Sequence, residues 1–168
     1  MTDKSKLAQG DLQLLESEQA QRLLASTIPA RLAYIAPDGA PRVLPTWFHW
    51  TGEDLVTATF VAAPHMHRPA ARLKALRANP SVAVTIDTES FPPHVLLMRG
   101  KVSITEMPGV VPEYALAAQR YLGQEEAAGY LAQFDETGTT MARIALRPAW
   151  VGVIDFETRL PSNMAGAS

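Results

Sequence analysis

The feature that most constrains the fold is a series of short segments rich in β-branched, aromatic and apolar residues. Seven such segments occur, at residues 30–36, 43–50, 55–61, 82–86, 94–105, 140–146 and 150–156. Pro37, Asp38 and Gly39 form a tight turn after the first of them, because proline fixes φ and glycine tolerates positive φ. Strands joined by short turns pair mostly antiparallel. Since few charges lie on either face, we expect the seven strands to close into a barrel.

Helical patterns precede and separate these strands. Four helices are expected, at residues 12–25, 69–78, 110–122 and 124–134. Ser17 followed by Glu18 is a possible start signal within the first, and Pro69 suits the first turn of the second, where a missing N–H costs nothing. Gly123 separates the third predicted helix from the fourth. The pattern therefore predicts an α+β protein in which helices flank a mostly antiparallel sheet.

Length and charge limit the domain organisation and the classes of function. A chain of 168 residues with 47% apolar residues can bury the core of one domain. We expect that domain at residues 12–160, after a flexible leader at 1–11 and before a tail at 161–168. The formal net charge of −2 argues against a nucleic-acid partner, since binding to phosphate backbones normally requires clustered Lys and Arg.

The residue types that are missing exclude further classes. The chain has no cysteine, so it cannot form a disulfide, a thiolate metal site or an iron–sulfur cluster. No apolar run approaches the roughly 20 residues of a membrane-spanning helix, and the N-terminus lacks the apolar core of a signal peptide. We expect a cytoplasmic protein with no membrane association and no metal site.

A basic segment around the second predicted helix is the clearest candidate for chemistry. Arg68, Arg72, Lys74 and Arg77 lie within ten residues, and the four-residue spacing of Arg68 and Arg72 puts both on one face of a helix. Guanidinium groups match phosphate oxygens, and a helix N-terminus adds free N–H donors. Thr59, in the preceding strand, could add a hydroxyl. The pattern indicates a phosphate site, and the alternative is that these cations simply solvate the outer face of a helix.

Several motifs in order resemble those of a known family. They are GAPRVLPTWF at 39–48, a strand ending at Thr59, Arg72 seven residues before Asn79-Pro80, Gly100, and RPAWVGV at 147–153. Together they resemble the pyridoxamine 5′-phosphate oxidase-like superfamily of flavin-binding split β-barrels, over roughly residues 12–160. The resemblance implies a homodimer with two cofactor sites at the subunit interface. It also implies FMN as cofactor, as in most members, or the deazaflavin coenzyme F420, as in others.

The resemblance also implies roles for particular residues. The strand that lines the isoalloxazine and phosphate corresponds to Arg42, Val43, Leu44, Pro45, Thr46 and Trp47. Thr59 corresponds to the hydroxyl residue of the next strand, Arg72 to the residue that grips the phosphate, and Arg68 to an auxiliary cation. Trp150 and Arg159 correspond to an aromatic and a basic residue that reach the cofactor from one subunit. No catalytic side chain is assigned, because the flavin ring carries the hydride chemistry.

Departures from the family pattern bear on the activity. The loop at residues 60–71 is longer than that of the true oxidases, the Gln that precedes Gly100 in them is absent, and so is their basic C-terminal motif. Vitamin B6 oxidation is therefore not expected. We expect an FMN-binding oxidoreductase that transfers hydride between a reduced nicotinamide or another donor and a small organic substrate.

Two other functions remain open. The first is an F420-dependent reductase, because the basic cluster suits either cofactor. The second belongs to a different class and is a non-catalytic flavin-binding or haem-binding protein, in which His65 and His67 would be candidate ligands. His49 lies in a predicted strand, where it is either beside the cofactor ring or an ordinary strand residue.

Overall fold

The computed structural model describes residues 7–64, 66, 68–134, 138–161 and 164. In these residues the chain forms seven strands, and α-helices flank the sheet. The strands are β1 (Ala30–Ile35), β2 (Pro41–Thr46), β3 (His49–Trp50), β4 (Leu55–Ala62), β5 (Ser81–Asp87), β6 (Val95–Pro108) and β7 (Thr140–Ile154). The helices are α1 (Glu18–Ala25), α2 (Ala71–Ala78), α3 (Pro112–Leu122) and α4 (Gln124–Ala132).

The strands make one sheet in the order β2-β1-β5-β6-β7-β4-β3, and every strand pair is antiparallel. The two end strands, β2 and β3, are separated in sequence only by Trp47 and Phe48. Three Cα–Cα steps reach at most about 11 Å, so the two ends of the sheet must lie next to each other. The sheet is therefore curled into a barrel, and we call the Trp47–Phe48 junction the seam. The predicted α+β class and mostly antiparallel barrel are confirmed.

The seam is fixed by a side chain from α3. Phe48 is fully buried. The Arg120 guanidinium donates a hydrogen bond to the Phe48 carbonyl and lies 4.5 Å from the centre of its ring. These contacts attach α3 to the junction between the two ends of the sheet.

The structure corrects the boundaries of three predicted strands. The segment at 43–50 is not one strand, because it bends at the seam and pairs with β1 on one side and with β4 on the other. The segments at 140–146 and 150–156 are not two strands, because β7 runs through Pro148 without a break. A register shift between β6 and β7 pairs Gly100 with Pro148 while Arg99 pairs with Trp150, so the proline lies at a bulge.

The helical predictions are also refined. The segment at 12–25 is a 3₁₀ helix, Leu12–Glu16, followed by α1, and the Ser17 hydroxyl caps α1 by accepting from the Ala20 N–H at 3.3 Å. Helix α2 begins at Ala71, so Pro69 lies before it rather than in its first turn. Gly123 separates α3 from α4 as predicted, with a φ of 85° that a residue with a side chain rarely adopts.

Two groups of buried side chains position the helices. The main core fills the barrel and takes in Leu73 and Leu76 of α2. A smaller cluster of Ala58, Val111 and Met141 lies between the β4–β7 pair and the start of α3. This smaller cluster underlies the candidate site. No helix in the described residues is long and apolar enough to cross a membrane.

Candidate functional site

A cavity of about 340 Å³ lies beside the seam, where β2 and β4 meet α2, α3 and α4. Its lining residues are Pro45, Thr46, Trp47, Ala58, Thr59, Phe60, Arg72, Tyr114, Tyr130 and Met141. Five of the residues that the family resemblance singles out therefore line the same cavity, namely Pro45, Thr46, Trp47, Thr59 and Arg72. The cavity is at the small end of the range usual for ligand sites.

Arg72 is the charged residue of this lining. It lies in the first turn of α2, and its Nη2 donates to the Ala58 carbonyl at 3.1 Å. Its Nε is buried and has no hydrogen-bond partner among the described residues. Burial lowers the pKa of the Arg72 guanidinium, because it removes water from around the charge. An anion in the cavity would satisfy both the unpaired N–H and the charge.

Hydroxyl groups hold the strand that forms one wall. The Thr46 hydroxyl donates to the Trp47 carbonyl at 3.1 Å and lies 2.5 Å from the Thr57 hydroxyl. Because a hydroxyl has one hydrogen, Thr57 donates to Thr46, and the three groups form a chain across the seam. Thr59 lines the cavity from within β4, which continues to Ala62 rather than ending at Thr59.

The opposite part of the lining is aromatic. The Trp47 ring stacks on Tyr121 with centroids 5.1 Å apart and planes 7° apart. Tyr114 and Tyr130 also pack against the Trp47 ring, with ring centroids 6.1 and 5.9 Å from that of Trp47. The Tyr114 and Tyr130 hydroxyls are 2.7 Å apart. Burial, followed by the bond to Tyr130, raises the pKa of Tyr114, so its phenol stays neutral in ordinary buffers.

Sequence reasoning did not find Tyr114 or Tyr130, because it treated α3 and α4 only as flanking helices. A signal existed in the spacing of Tyr114 and Tyr121, which are seven residues apart and therefore on one helix face. Tyr130 had no comparable signal. Its place depends on how α4 folds back against α3 after Gly123.

Some residues of the predicted strand motif lie away from the cavity. Arg42 is exposed and forms an ion pair with Asp38 at 2.7 Å in the adjoining turn. Val43 is 66% exposed. Leu44 is half-buried, and like the two before it does not line the cavity. The strand therefore contributes its end, from Pro45 to Trp47, to the lining described above.

Arg68 is exposed and lies before the first residue of α2. Since only Arg72 is helical, the two guanidinium groups do not share a helix face, and that part of the prediction is wrong. Arg68 is not among the cavity-lining residues. His65 and His67 lie outside the described residues.

Trp150 and Arg159 occupy a different part of the molecule from Arg72. The Arg99 guanidinium lies 4.0 Å from the centre of the Trp150 ring. Arg99 and Trp150 line an open hollow of about 650 Å³ next to the β6–β7 bulge. Arg159 donates from its guanidinium to the Leu7 carbonyl at 2.8 Å. Within this single chain, neither residue lines the cavity with Arg72.

His49 is half-buried next to α3. Burial lowers its pKa, and the nearby Arg120 lowers it further, while Glu113 acts in the opposite direction. It does not line the cavity. Among the described residues, no group of three His, Asp or Glu side chains is arranged to hold a metal ion.

Comparison with family models gives no match, and neither does comparison with curated protein sequences. Solved structures do match. An F420 reductase superposes with a TM-score of 0.59 and 26% identity, over 79% of this chain and 94% of its own. A Listeria innocua protein provisionally named pyridoxamine 5′-phosphate oxidase superposes with a TM-score of 0.55 and 16% identity, over 82% of this chain and 97% of its own. The chain has the pyridoxamine 5′-phosphate oxidase-like fold.

This fold accommodates more than one kind of protein. A haem-binding protein from Mycobacterium smegmatis superposes with a TM-score of 0.57 and 20% identity, over 84% of this chain. This chain covers 55% of that protein's length. The pyridoxamine 5′-phosphate oxidase-like fold thus includes both oxidoreductases and haem binders, and the function of this chain has to be argued from its own cavity.

Proposed function

We propose that this protein is an oxidoreductase that binds a phosphorylated flavin-type cofactor in the cavity beside the seam. The observation that carries the proposal is Arg72, whose charge is desolvated and whose buried Nε has no partner among the described residues. A guanidinium in this state is suited to a phosphate group, to which it can donate two parallel hydrogen bonds.

The residues present fit such a cofactor. Arg72 would hold the phosphate, and the Thr59 hydroxyl would add a donor from β4. Pro45, Thr46 and Trp47 would lie along the ring system, where Trp47 offers a large apolar surface. The bound flavin or deazaflavin supplies hydride transfer, while the protein supplies position and electrostatics.

FMN and F420 both carry a phosphate on a ribityl chain attached to a tricyclic ring, so the same residues could bind either. The match to an F420 reductase favours the deazaflavin, because it covers 94% of that reductase at 26% identity. The exposed cations Arg68 and Lys74, which lie within four residues of Arg72 in the sequence, suit the acidic tail of F420. FMN remains the first alternative, since it requires nothing beyond the phosphate and ring sites.

We also infer that the site is completed by a second copy of the chain. The cavity of about 340 Å³ is open and small for a tricyclic cofactor. Val43, in β2 two residues before the cavity-lining Pro45, exposes an apolar side chain, and exposed apolar side chains occur at interfaces. In a homodimer, Trp150 and Arg159 of one subunit would approach the partner's cavity. Light scattering with and without cofactor tests this inference, and a monomer with full cofactor affinity would contradict it.

The deciding experiment is a parallel absorbance titration of the purified protein with FMN, F420 and haem. Saturable binding of FMN or F420 with a shifted ring spectrum is expected, and it would direct the search to hydride donors such as NADH and NADPH and to small organic acceptors. A haem Soret band without flavin binding would place the chain with the haem binders. Binding of a flavin that no donor reduces and no acceptor reoxidises would make the protein a flavin carrier.

A further inference from the structure

Tyr114 and Tyr130 bring two phenol groups from different helices into the same cavity. Tyr114 lies in the first turn of α3 and Tyr130 lies near the end of α4, and both line the cavity. Their hydroxyl oxygens are 2.7 Å apart, which is the distance of an O–H···O hydrogen bond. The proposed function so far gives this pair no role.

Counting hydrogens shows what the pair can offer a ligand. Two phenols carry two hydroxyl hydrogens, and the bond between them uses one. Among the described residues, neither hydroxyl makes any other hydrogen bond. The pair therefore has one O–H that remains available in the cavity, whose other polar lining residues are Thr46, Thr59 and Arg72.

The aromatic packing fixes where that O–H is presented. Tyr114 contacts Phe60 edge-on at 6.2 Å between ring centroids, and Tyr130 contacts Phe134 edge-on at 5.2 Å. Trp47 packs against both tyrosines. Because the rings are already held, donating a hydrogen bond to a ligand would cost little side-chain entropy.

Charge indicates which ligand group the pair meets. The Arg72 charge and the Tyr114 phenol are close enough to affect each other's ionisation. An anion drawn to Arg72 would therefore lie in the same part of the cavity as the tyrosine hydroxyls. A neutral phenol is a suitable donor to such an anion, and its O–H···O⁻ bond would be strong.

We propose that the Tyr114–Tyr130 pair donates its available O–H to the phosphate group held by Arg72. This inference rests on the proposed function, and it adds α3 and α4 to the phosphate site. Phosphate recognition would then couple α2 with the helical hairpin on the other side of the cavity. It would also account for a polar pair in an otherwise aromatic wall.

The test compares FMN with riboflavin, which has the same ring and ribityl chain but no phosphate. Binding is measured by fluorescence titration for the wild type and for the double variant Tyr114→Phe/Tyr130→Phe. The double variant is expected to bind FMN about tenfold more weakly or worse, as for a lost hydrogen bond to a charged group, and to bind riboflavin like the wild type. If the wild type prefers F420, the same comparison uses F420 and its dephosphorylated chromophore.

A matched control is available in the same aromatic cluster. Tyr121 stacks on Trp47, but its hydroxyl donates to the Ile28 carbonyl at 3.1 Å and is not part of the cavity lining. Tyr121→Phe should leave the ratio of FMN to riboflavin affinity unchanged. An equal change of that ratio in Tyr121→Phe and in the double variant would contradict the proposal.

Other outcomes separate this inference from the proposed function. An equal loss of FMN and riboflavin binding in the double variant, or no loss of either, would overturn the inference alone. A wild type that binds neither FMN nor F420 would overturn both. If the double variant does not fold, the two single variants replace it. Since one particular hydroxyl must face the phosphate, unchanged FMN binding in both single variants would also overturn the inference.

Discussion

The Thr57 hydroxyl donates to the Thr46 hydroxyl, and Thr46 in turn donates to the Trp47 carbonyl. Thr57 belongs to β4, the neighbour of the end strand β3, and Thr46 ends β2, so this chain of hydrogen bonds connects β2 with β4 across the seam. Thr57 is only 5% exposed. A buried hydroxyl chain of this kind both satisfies its own polar groups and fixes the conformation of the residue that follows, which here is the cavity-lining Trp47.

Replacing Thr57 with Val tests the hydroxyl chain while keeping a β-branched side chain in β4. We expect the free energy of unfolding to fall by about 1–2 kcal/mol, because the Thr46 hydroxyl loses a buried partner. Denaturant unfolding measures the change. Thr105→Val, at an exposed position of β6, is the control and should alter stability by less than about 0.5 kcal/mol. Similar losses in the two variants would argue against the chain.

Gly100 lies at the β6–β7 bulge, where a Cβ would collide with the Arg147 carbonyl oxygen and touch Leu146. Gly100→Ala should therefore destabilise the protein by about 1–3 kcal/mol, because the colliding atom belongs to the backbone. Thermal unfolding is a sufficient measurement. Gly129→Ala in α4 is the matched control, since no atom lies within 4 Å of its added Cβ. That variant should be neutral or more stable by up to about 1 kcal/mol.

Arg72→Ala should weaken FMN or F420 binding by about 1.5–3 kcal/mol, because the phosphate would lose a charged hydrogen-bond donor. Fluorescence titration gives the dissociation constants. Arg77→Ala is the control on the same helix, because Arg77 forms an ion pair with Glu106 and does not line the cavity. Arg68→Ala tests the auxiliary cation separately. An Arg72 variant that binds as tightly as the Arg77 variant would refute the phosphate assignment.

Asp155 organises the turn after β7 and is 9% exposed. Its carboxylate accepts from the N–H groups of Glu157, Thr158 and Arg159 and from the Thr158 hydroxyl, at 2.6–2.9 Å. Burial alone would raise its pKa, but these hydrogen bonds outweigh burial, and the pKa of Asp155 is lowered. Asp155→Asn should cost about 2 kcal/mol near neutral pH, because it removes the charge that strengthens these bonds and because an amide nitrogen in place of Oδ2 cannot accept from the Thr158 hydroxyl.

The pH dependence of this effect has a definite sign. Since the folded pKa of Asp155 lies below the unfolded value of about 4, its contribution is complete above pH 4 and is lost as the pH falls through the folded pKa. The stability difference between the wild type and Asp155→Asn should therefore shrink in acid. Urea unfolding at a series of pH values measures it, with Glu157→Gln, exposed in the same turn, as control. A difference that is constant down to strongly acidic pH would contradict this account.

The ends of strands and helices were predictable where the residue type at a single position determines the backbone conformation. The turn around Gly39 and the break at Gly123 follow from residue types that permit positive φ, and both glycines have it. The continuity of β7 was not predictable, because Pro148 normally ends a strand. Only the opposing Gly100 makes room for the bulge that tolerates it, and that pairing joins residues 48 positions apart.

The candidate site, too, could be predicted from the sequence only in part. Arg72, Thr59 and the end of β2 could be placed together because they belong to consecutive elements and to a recognisable order of motifs. Tyr114 and Tyr130 could not, since their approach to β2 and β4 depends on helices inserted between β6 and β7. Arg68 was misplaced for a local reason, because α2 begins two residues later than the proline suggested.

Trp47, one of the two residues that join the ends of the sheet, also lines the cavity. On the proposed function, the same short peptide would contribute both to cofactor binding and to the integrity of the barrel. A substitution that loosens the junction should appear as weaker binding before it appears as unfolding. A ligand bound in the cavity should, in turn, stabilise the whole sheet against unfolding.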